Sequence, residues 1–160
     1  LIGTTGDQPT VLDDPELGNA EVSSAVQAVV HWYGPTDFLL MDTQAAAGGG
    51  CATPESHDPA SSPESAWMGA AIQTVPETVE QANPIAYIAT AGELPAFSIA
   101  HGDADCNVPY QQSQILADAL ADAGAEYELT ILPGAAHADA QFDSTLLAPA
   151  VAWLGTVLTN

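Results

Sequence analysis

Two nearly continuous apolar runs, VQAVVHWY at residues 26–33 and LPAFSIA at residues 94–100, narrow the possible architectures of this chain more than any other feature. A strand with one face in water alternates apolar and polar residues, whereas an unbroken apolar run needs cover on both faces, as in a parallel sheet flanked by helices. The pattern therefore predicts two strands buried on both faces. The first stops at Gly34 and Pro35, and the second runs into the polar turn His101, Gly102, Asp103, Ala104 and Asp105. A third strand has a different signature: Tyr127, Leu129 and Ile131 alternate with Glu126, Glu128 and Thr130, a half-exposed pattern suited to a sheet edge. A second polar turn, Pro133 to His137, follows it.

Helix signals fill the intervals. Ser62-Pro63-Glu64 and Val75-Pro76-Glu77 each put proline where a first helical turn tolerates it and an acid beside the positive helix end, so two short helices are expected, the second ending at Asn83-Pro84. From Pro109 onward Ile115, Leu116, Ala119, Leu120 and Ala123 make a helical stripe that stops at Gly124. Pro149 opens a last amphipathic helix with Ala150, Val151, Leu154, Val157 and Leu158 on one face. Residues 41–63, with Gly48, Gly49 and Gly50, read as an irregular surface loop. The order strand, helices, strand, helix, strand, helix defines an α/β fold: a parallel sheet with flanking helices and right-handed crossovers, residues 1–160 forming a single domain. Functional groups in such sheets gather at the carboxyl ends of the strands, where Asp105 and His137 both fall.

Charge excludes whole classes of partner. The 160 residues hold 21 Asp and Glu but no Lys or Arg, a formal net charge of −21 that comes from missing bases, since acids are in ordinary use. With no cation beyond the N-terminus and any protonated histidine, the chain cannot neutralise phosphates, which argues against nucleic acid or an anionic membrane as partner. No apolar run approaches the roughly 20 residues that cross a bilayer, and Leu1-Ile2-Gly3 does not open a signal peptide. No two of the four histidines stand at i, i+4, so no metal site is expected. Cys51 and Cys106 allow one bridge or two buried thiols, and the count alone does not choose.

The strongest local signal is HGDADCNVP at residues 101–109, followed 32 residues after Asp105 by His137 in PGAAH at residues 133–137. In these two turns the sequence resembles the α/β-hydrolase superfamily, whose members show a His-Gly-x-x-Asp-x-x-Val-Pro turn after one strand and a Gly-x-x-His turn after the next. VVHWYGPTD at residues 29–37, Ser62-Pro63-Glu64-Ser65 and Ala82-Asn83-Pro84-Ile85 are similar, more narrowly, to secreted bacterial esterases related to feruloyl and acetylxylan esterases.

The resemblance implies the C-terminal half of an α/β-hydrolase fold, with Asp105 the triad acid and His137 the general base of a carboxylic ester hydrolase. The chemistry requires the pair: a carboxylate on one imidazole nitrogen fixes the tautomer and stabilises the imidazolium, while the other nitrogen takes a proton from the nucleophile. Asp103 is the runner-up acid, its alternative role an Asx-type bond shaping the turn. His101 is expected to pack or hydrogen-bond at the strand end. Trp32 and Tyr33 are candidate substrate-binding residues, with Trp67 beside them; core packing is the alternative for all three. The resemblance also implies a Cys51–Cys106 disulfide, a secreted location, no cofactor, and a small-molecule or carbohydrate-linked ester as substrate. A serine nucleophile would sit in a Gly-x-Ser-x-Gly elbow, and none occurs in these residues. LIGTTGD at residues 1–7 resembles the segment just after the elbow helix, so the serine is expected ahead of residue 1. The expected partner is the chain's own N-terminal half or a second copy. The other class of function is a catalytically incomplete half serving as a binding or structural module.

Overall fold

A computed structural model describes all residues except Asp7, Ala20, Gly49 and Asn160, so one residue of the glycine-rich loop and one of the N-terminal segment lie outside the described residues. In chain order the elements are α1 (Ile2–Thr5), β1 (Ala28–Trp32), α2 (Met41–Ala47), α3 (Pro63–Met68), α4 (Pro76–Glu80), α5 (Ile85–Ile88), β2 (Ala96–Gly102), α6 (Gln111–Asp122), β3 (Tyr127–Leu132) and α7 (Leu147–Val157). The three strands form one parallel sheet in the order β1-β2-β3. Its register pairs Trp32 with Ala100 and Gly102 with Leu132, so β1 ends two residues before β2 while β2 and β3 end together. Three parallel strands with flanking helices make up part of an α/β-hydrolase fold.

Central position decides burial. Every residue of β2 is buried, as its unbroken apolar run requires. The strand extends two residues beyond that run, which moves His101 out of the turn and into the sheet. The expectation of burial on both faces fails for β1, whose residues are only partly covered, with Val30 37% exposed. The reason is position: among the described residues β1 pairs on one edge only. Tyr33 leaves the strand altogether at φ 45°. β3 is the opposite edge, and its alternation holds only from Glu128 to Ile131, since Tyr127 is exposed and Leu132 is buried next to Ile131.

Side-chain alternation along β2 divides the core in two. Phe97 and Ile99 face α5 and α6, where Ile88, Leu116, Ala117 and Leu120 cover them. Ala100 turns the other way, into a cluster with Leu132, Ala135 and Phe142, against which Trp32 and Tyr33 pack. The buried side of α6 carries Gln112 and Ser113 as well as Leu116, Ala117 and Leu120, so it begins one turn earlier than the apolar stripe suggests. Polar residues entered that face because their hydrogen bonds are met there: Gln112 accepts from the amides of Thr36 and Asp37 at 2.7 Å each and donates to Gln44 and to the Asp37 carbonyl.

Both proline-led helices form, α3 with Ser62 as its cap, accepting from the Ser65 amide at 3.0 Å. Asn83-Pro84 ends α4 but also starts α5, because the Asn83 side chain accepts from the Ile85 amide at 2.9 Å. The last helix begins at Leu147 rather than Pro149, after a π-helical segment at Phe142–Leu146. Of its expected inner face only Ala150 is buried, while Val151 and Leu158 are exposed.

Candidate active site

Two turns at the carboxyl ends of β2 and β3 touch because Gly102 lets them. A Cβ on that residue would lie 2.1 Å from the Ala135 carbonyl oxygen, so only glycine permits the approach. Across this contact the Ala104 amide donates to the Ala135 carbonyl at 3.1 Å, and the Gly134 amide donates to Asp103 Oδ1 at 2.6 Å. Asp103, the runner-up acid, is thus a tie between the two turns.

Asp105 lies under this clasp with its side chain fully covered. Oδ1 accepts from the amides of Asn107 and Val108 at 2.8 and 2.9 Å. Oδ2 takes His137 Nδ1 at 2.8 Å and His101 Nε2 at 3.2 Å. Burial alone would push the carboxyl up, but donation from His101, the Val108 amide, His137 and the Asn107 amide outweighs it and holds the group below its ordinary value. Asp105 is therefore an anion with all its acceptor directions in use.

The His137 imidazole is about 30% exposed, and among the described residues nothing hydrogen-bonds its second nitrogen, Nε2. Its ring meets that of Tyr33 edge-on at 4.8 Å between centroids, and Tyr33 in turn meets Phe142 at 4.7 Å. Tyr33 and Ala138, the residue after His137, both hold positive φ, at 45° and 53°. Such conformations cost of order 1–3 kcal/mol each and persist only where the surroundings fix them. The Tyr33 amide is held by the Ala100 carbonyl at 2.8 Å.

The glycine-rich loop closes over the acid turn. Cys51 and Cys106 form a disulfide with Cα atoms 5.1 Å apart. Beside it Gly50 donates to the Asp103 carbonyl at 2.7 Å and Glu55 to the Cys106 carbonyl at 2.8 Å. Under the same loop Asp42 accepts from Ser56 and from the amides of His57 and Asp58, and His57 stands 3.1 Å from Glu64 in a buried pair.

The other candidates disperse. Trp32 stacks at 5.8 Å on Phe142 and belongs to the core cluster. Trp67, 66% exposed, lies against Phe38 and lines a cavity of about 270 Å³ with His31, Pro84 and Phe97, apart from Tyr33 and His137. His31 is kept neutral, its pKa lowered to about 4 by burial first and then by the nearby His101 and N-terminus. Among the described residues no group of three His, Cys, Asp or Glu side chains is placed to hold a metal ion. What sequence reasoning missed is the role of His101 as a second imidazole on Asp105; its i, i+4 spacing from that residue was the available signal.

The three parallel strands and their flanking helices place the chain among proteins built on part of an α/β-hydrolase fold. The chain belongs to the BD-FAE family, whose profile matches residues 1–120. Among solved structures it is similar to a truncated form of a carbohydrate esterase from gut microbiota, at 27% identity and TM-score 0.73, covering 89% of this chain and 46% of that one. It is similar also to a bifunctional GH43-CE protein of Bacteroides eggerthii, at 29% identity and TM-score 0.74, covering 97% of this chain and 21% of that one. An acetyl ester-xyloside bifunctional hydrolase from Caldicellulosiruptor lactoaceticus shares the fold, at 19% identity and TM-score 0.58, over 98% of this chain and 51% of its own. The chain thus spans between 21% and 51% of the length of these solved relatives. No curated protein matches it.

Proposed function

We propose that this chain supplies the acid, Asp105, and the general base, His137, of a Ser-His-Asp carboxylic ester hydrolase whose serine lies outside the 160 residues. One observation carries the reading: a buried carboxylate fixes His137 through Nδ1 at 2.8 Å and leaves Nε2 unpartnered on a partly exposed ring. With Nδ1 bearing the proton, Nε2 holds the lone pair that general-base catalysis needs. It would take the serine proton as the hydroxyl oxygen attacks the ester carbonyl, then pass that proton to the departing alcohol; water would repeat the sequence to release the acid. The Asp105 anion stabilises the imidazolium between the two transfers.

Tyr33 forms the wall beside the imidazole and is the candidate for the acyl side of the site, while Trp32 packs behind it in the core. The carbohydrate-esterase relatives at 27% and 29% identity support an acyl ester on a carbohydrate as substrate. The disulfide supports an extracellular setting, since such bonds persist in oxidising compartments. The exposed edge of β1 is the natural seat for the segment bearing the serine, or for a second copy.

The rival reading, a binding or structural module with triad-like turns, rests on the lack of a Gly-x-Ser-x-Gly elbow in these residues. A serine-directed phosphonate separates the two. Covalent labelling of the added nucleophile-bearing segment that needs Asp105 and His137 supports the hydrolase; labelling indifferent to Asp105→Ala and His137→Ala supports the module.

A further inference from the structure

The second imidazole on Asp105 has no part in the proton transfers just described, yet it is the most completely buried titratable group at the site. His101 is wholly inaccessible, as is Ser113 from the first turn of α6. The alternation that puts Phe97 and Ile99 toward α6 puts His101 there too. Its Nδ1 lies 2.7 Å from Ser113 Oγ. Its Nε2 lies between two groups that only accept, Asp105 Oδ2 at 3.2 Å and the Val108 carbonyl at 3.0 Å. A ring nitrogen facing a carboxylate and a carbonyl carries a proton in either charge state of the ring. His101 therefore faces Asp105 as a donor through Nε2, whereas His137 is the ring that takes and returns a proton in the proposed reaction.

We propose that His101, with its ring angle fixed by Ser113, is a positioning residue that holds Asp105 in place while His137 cycles. The inference rests on the triad reading above. Asp105 Oδ2 serves two imidazoles at once, and the His101 bond keeps that oxygen aimed at His137 when the His137 bond lengthens or the ring turns. The bond from His101 Nε2 to the Val108 carbonyl closes the loop, because the Val108 amide donates to Asp105 Oδ1. Other titratable groups facing this network are His31 from β1, Tyr33 just after it, Asp103 in the acid turn, Asp139 after β3, and His57 and Tyr110, which share a small hollow with Asp105. Among the described residues none of them hydrogen-bonds to Asp105.

Two amide substitutions divide the role. A glutamine nitrogen reaches about as far as imidazole Nε2 and can still donate to Asp105; an asparagine reaches only as far as Nδ1 and can meet Ser113 alone. The ¹³C titration of the Asp105 carboxyl in the 160-residue chain is compared for wild type, His101→Gln and His101→Asn, together with kcat and KM in the ester-hydrolysing assembly. The expected result is an Asp105 midpoint near wild type in His101→Gln and about one unit higher in His101→Asn, since loss of one donor to an anion shifts it upward by that order. In parallel, kcat falls tenfold or more in His101→Asn with KM unchanged, and His101→Gln recovers most of it. Equal behaviour of the two variants, or a better His101→Asn, would overturn the proposal and leave His101 a packing residue. Activity that survives His137→Ala would remove the triad reading instead, while the Asp105 titration still decides the role of His101.

Discussion

The acid side and the base side of the candidate site are 2.8 Å apart and built in opposite ways. Asp105 is covered, accepts four hydrogen bonds, and sits in a turn pinned by a disulfide, by Gly50 and by Asp103. His137 sits on a partly exposed turn with one nitrogen bonded and the other unpartnered among the described residues. The contrast extends into the sheet, where β2 is buried along its whole length and β1 is an edge with Val30 exposed. A carboxylate that must keep one orientation benefits from saturation, whereas a base must leave a nitrogen free for its reaction partner. The two sides therefore differ as their proposed chemistry requires.

Removing either end of the pair tests the contrast most severely. In the active assembly, Asp105→Asn and His137→Ala should each lower kcat on the order of 10³- to 10⁴-fold, because a triad without its base or its fixed tautomer keeps only residual catalysis. Native disulfide content measured alongside should stay intact, separating lost chemistry from lost fold.

Next in size is the clamp on the acid side. Cys51→Ser with Cys106→Ser opens a loop of 55 residues, and the chain-entropy treatment gives about 4 kcal/mol lost from unfolding in urea, less any compensation. Protection of amides 102–108 from hydrogen exchange should fall more than that of residues in β3; equal loss would mean that the bond stabilises the chain globally and does not favour the acid turn.

Acid should unfold the protein in two stages. The folded-state pKa of His31 is lowered from 6.5 to about 4, so between those values the unfolded chain takes up a proton that the folded one refuses. Its contribution is complete above pH 6.5 and declines as the pH falls, by up to about 3 kcal/mol. Asp105 is also held below its ordinary value of 3.8, so its contribution is present above that pH and is lost as the pH drops further. Urea midpoints measured from pH 8 to pH 3 should fall in that order, and His31→Phe should remove the first stage alone.

The smallest stability effects belong to the open flank. Val30→Thr and Val151→Glu replace exposed apolar residues and should change stability by less than about 0.5 kcal/mol while reducing self-association of the chain, read as solution mass by sedimentation. Unchanged association in both would mean that the β1 and α7 surfaces are not the contacting ones.

How far the sequence reveals these features varies with how local the cause is. β2 is plain in residues 94–100 because a central strand shows its burial in composition, and the paired glycine-containing turns mark the strand ends. The prolines and Ser62 mark α3 and α4 for the same local reasons. The covering of β1 is not legible, since an apolar run states what a strand needs without stating which neighbours it has. Gln112 and Ser113 escape a hydrophobic pattern because their burial is justified by partners 76 and 12 residues away, the Thr36 amide and His101. Tyr33 beside His137 depends on a backbone conformation that no periodicity predicts.

Turnover of p-nitrophenyl acetate by the 160-residue chain, alone and mixed with a nucleophile-bearing Gly-x-Ser-x-Gly segment, tests the central claim most directly. The expected result is background hydrolysis by the chain alone and activity with the segment present that disappears in His137→Ala. Turnover by the chain alone that depends on His137, or turnover in the mixture that does not, would contradict the assignment.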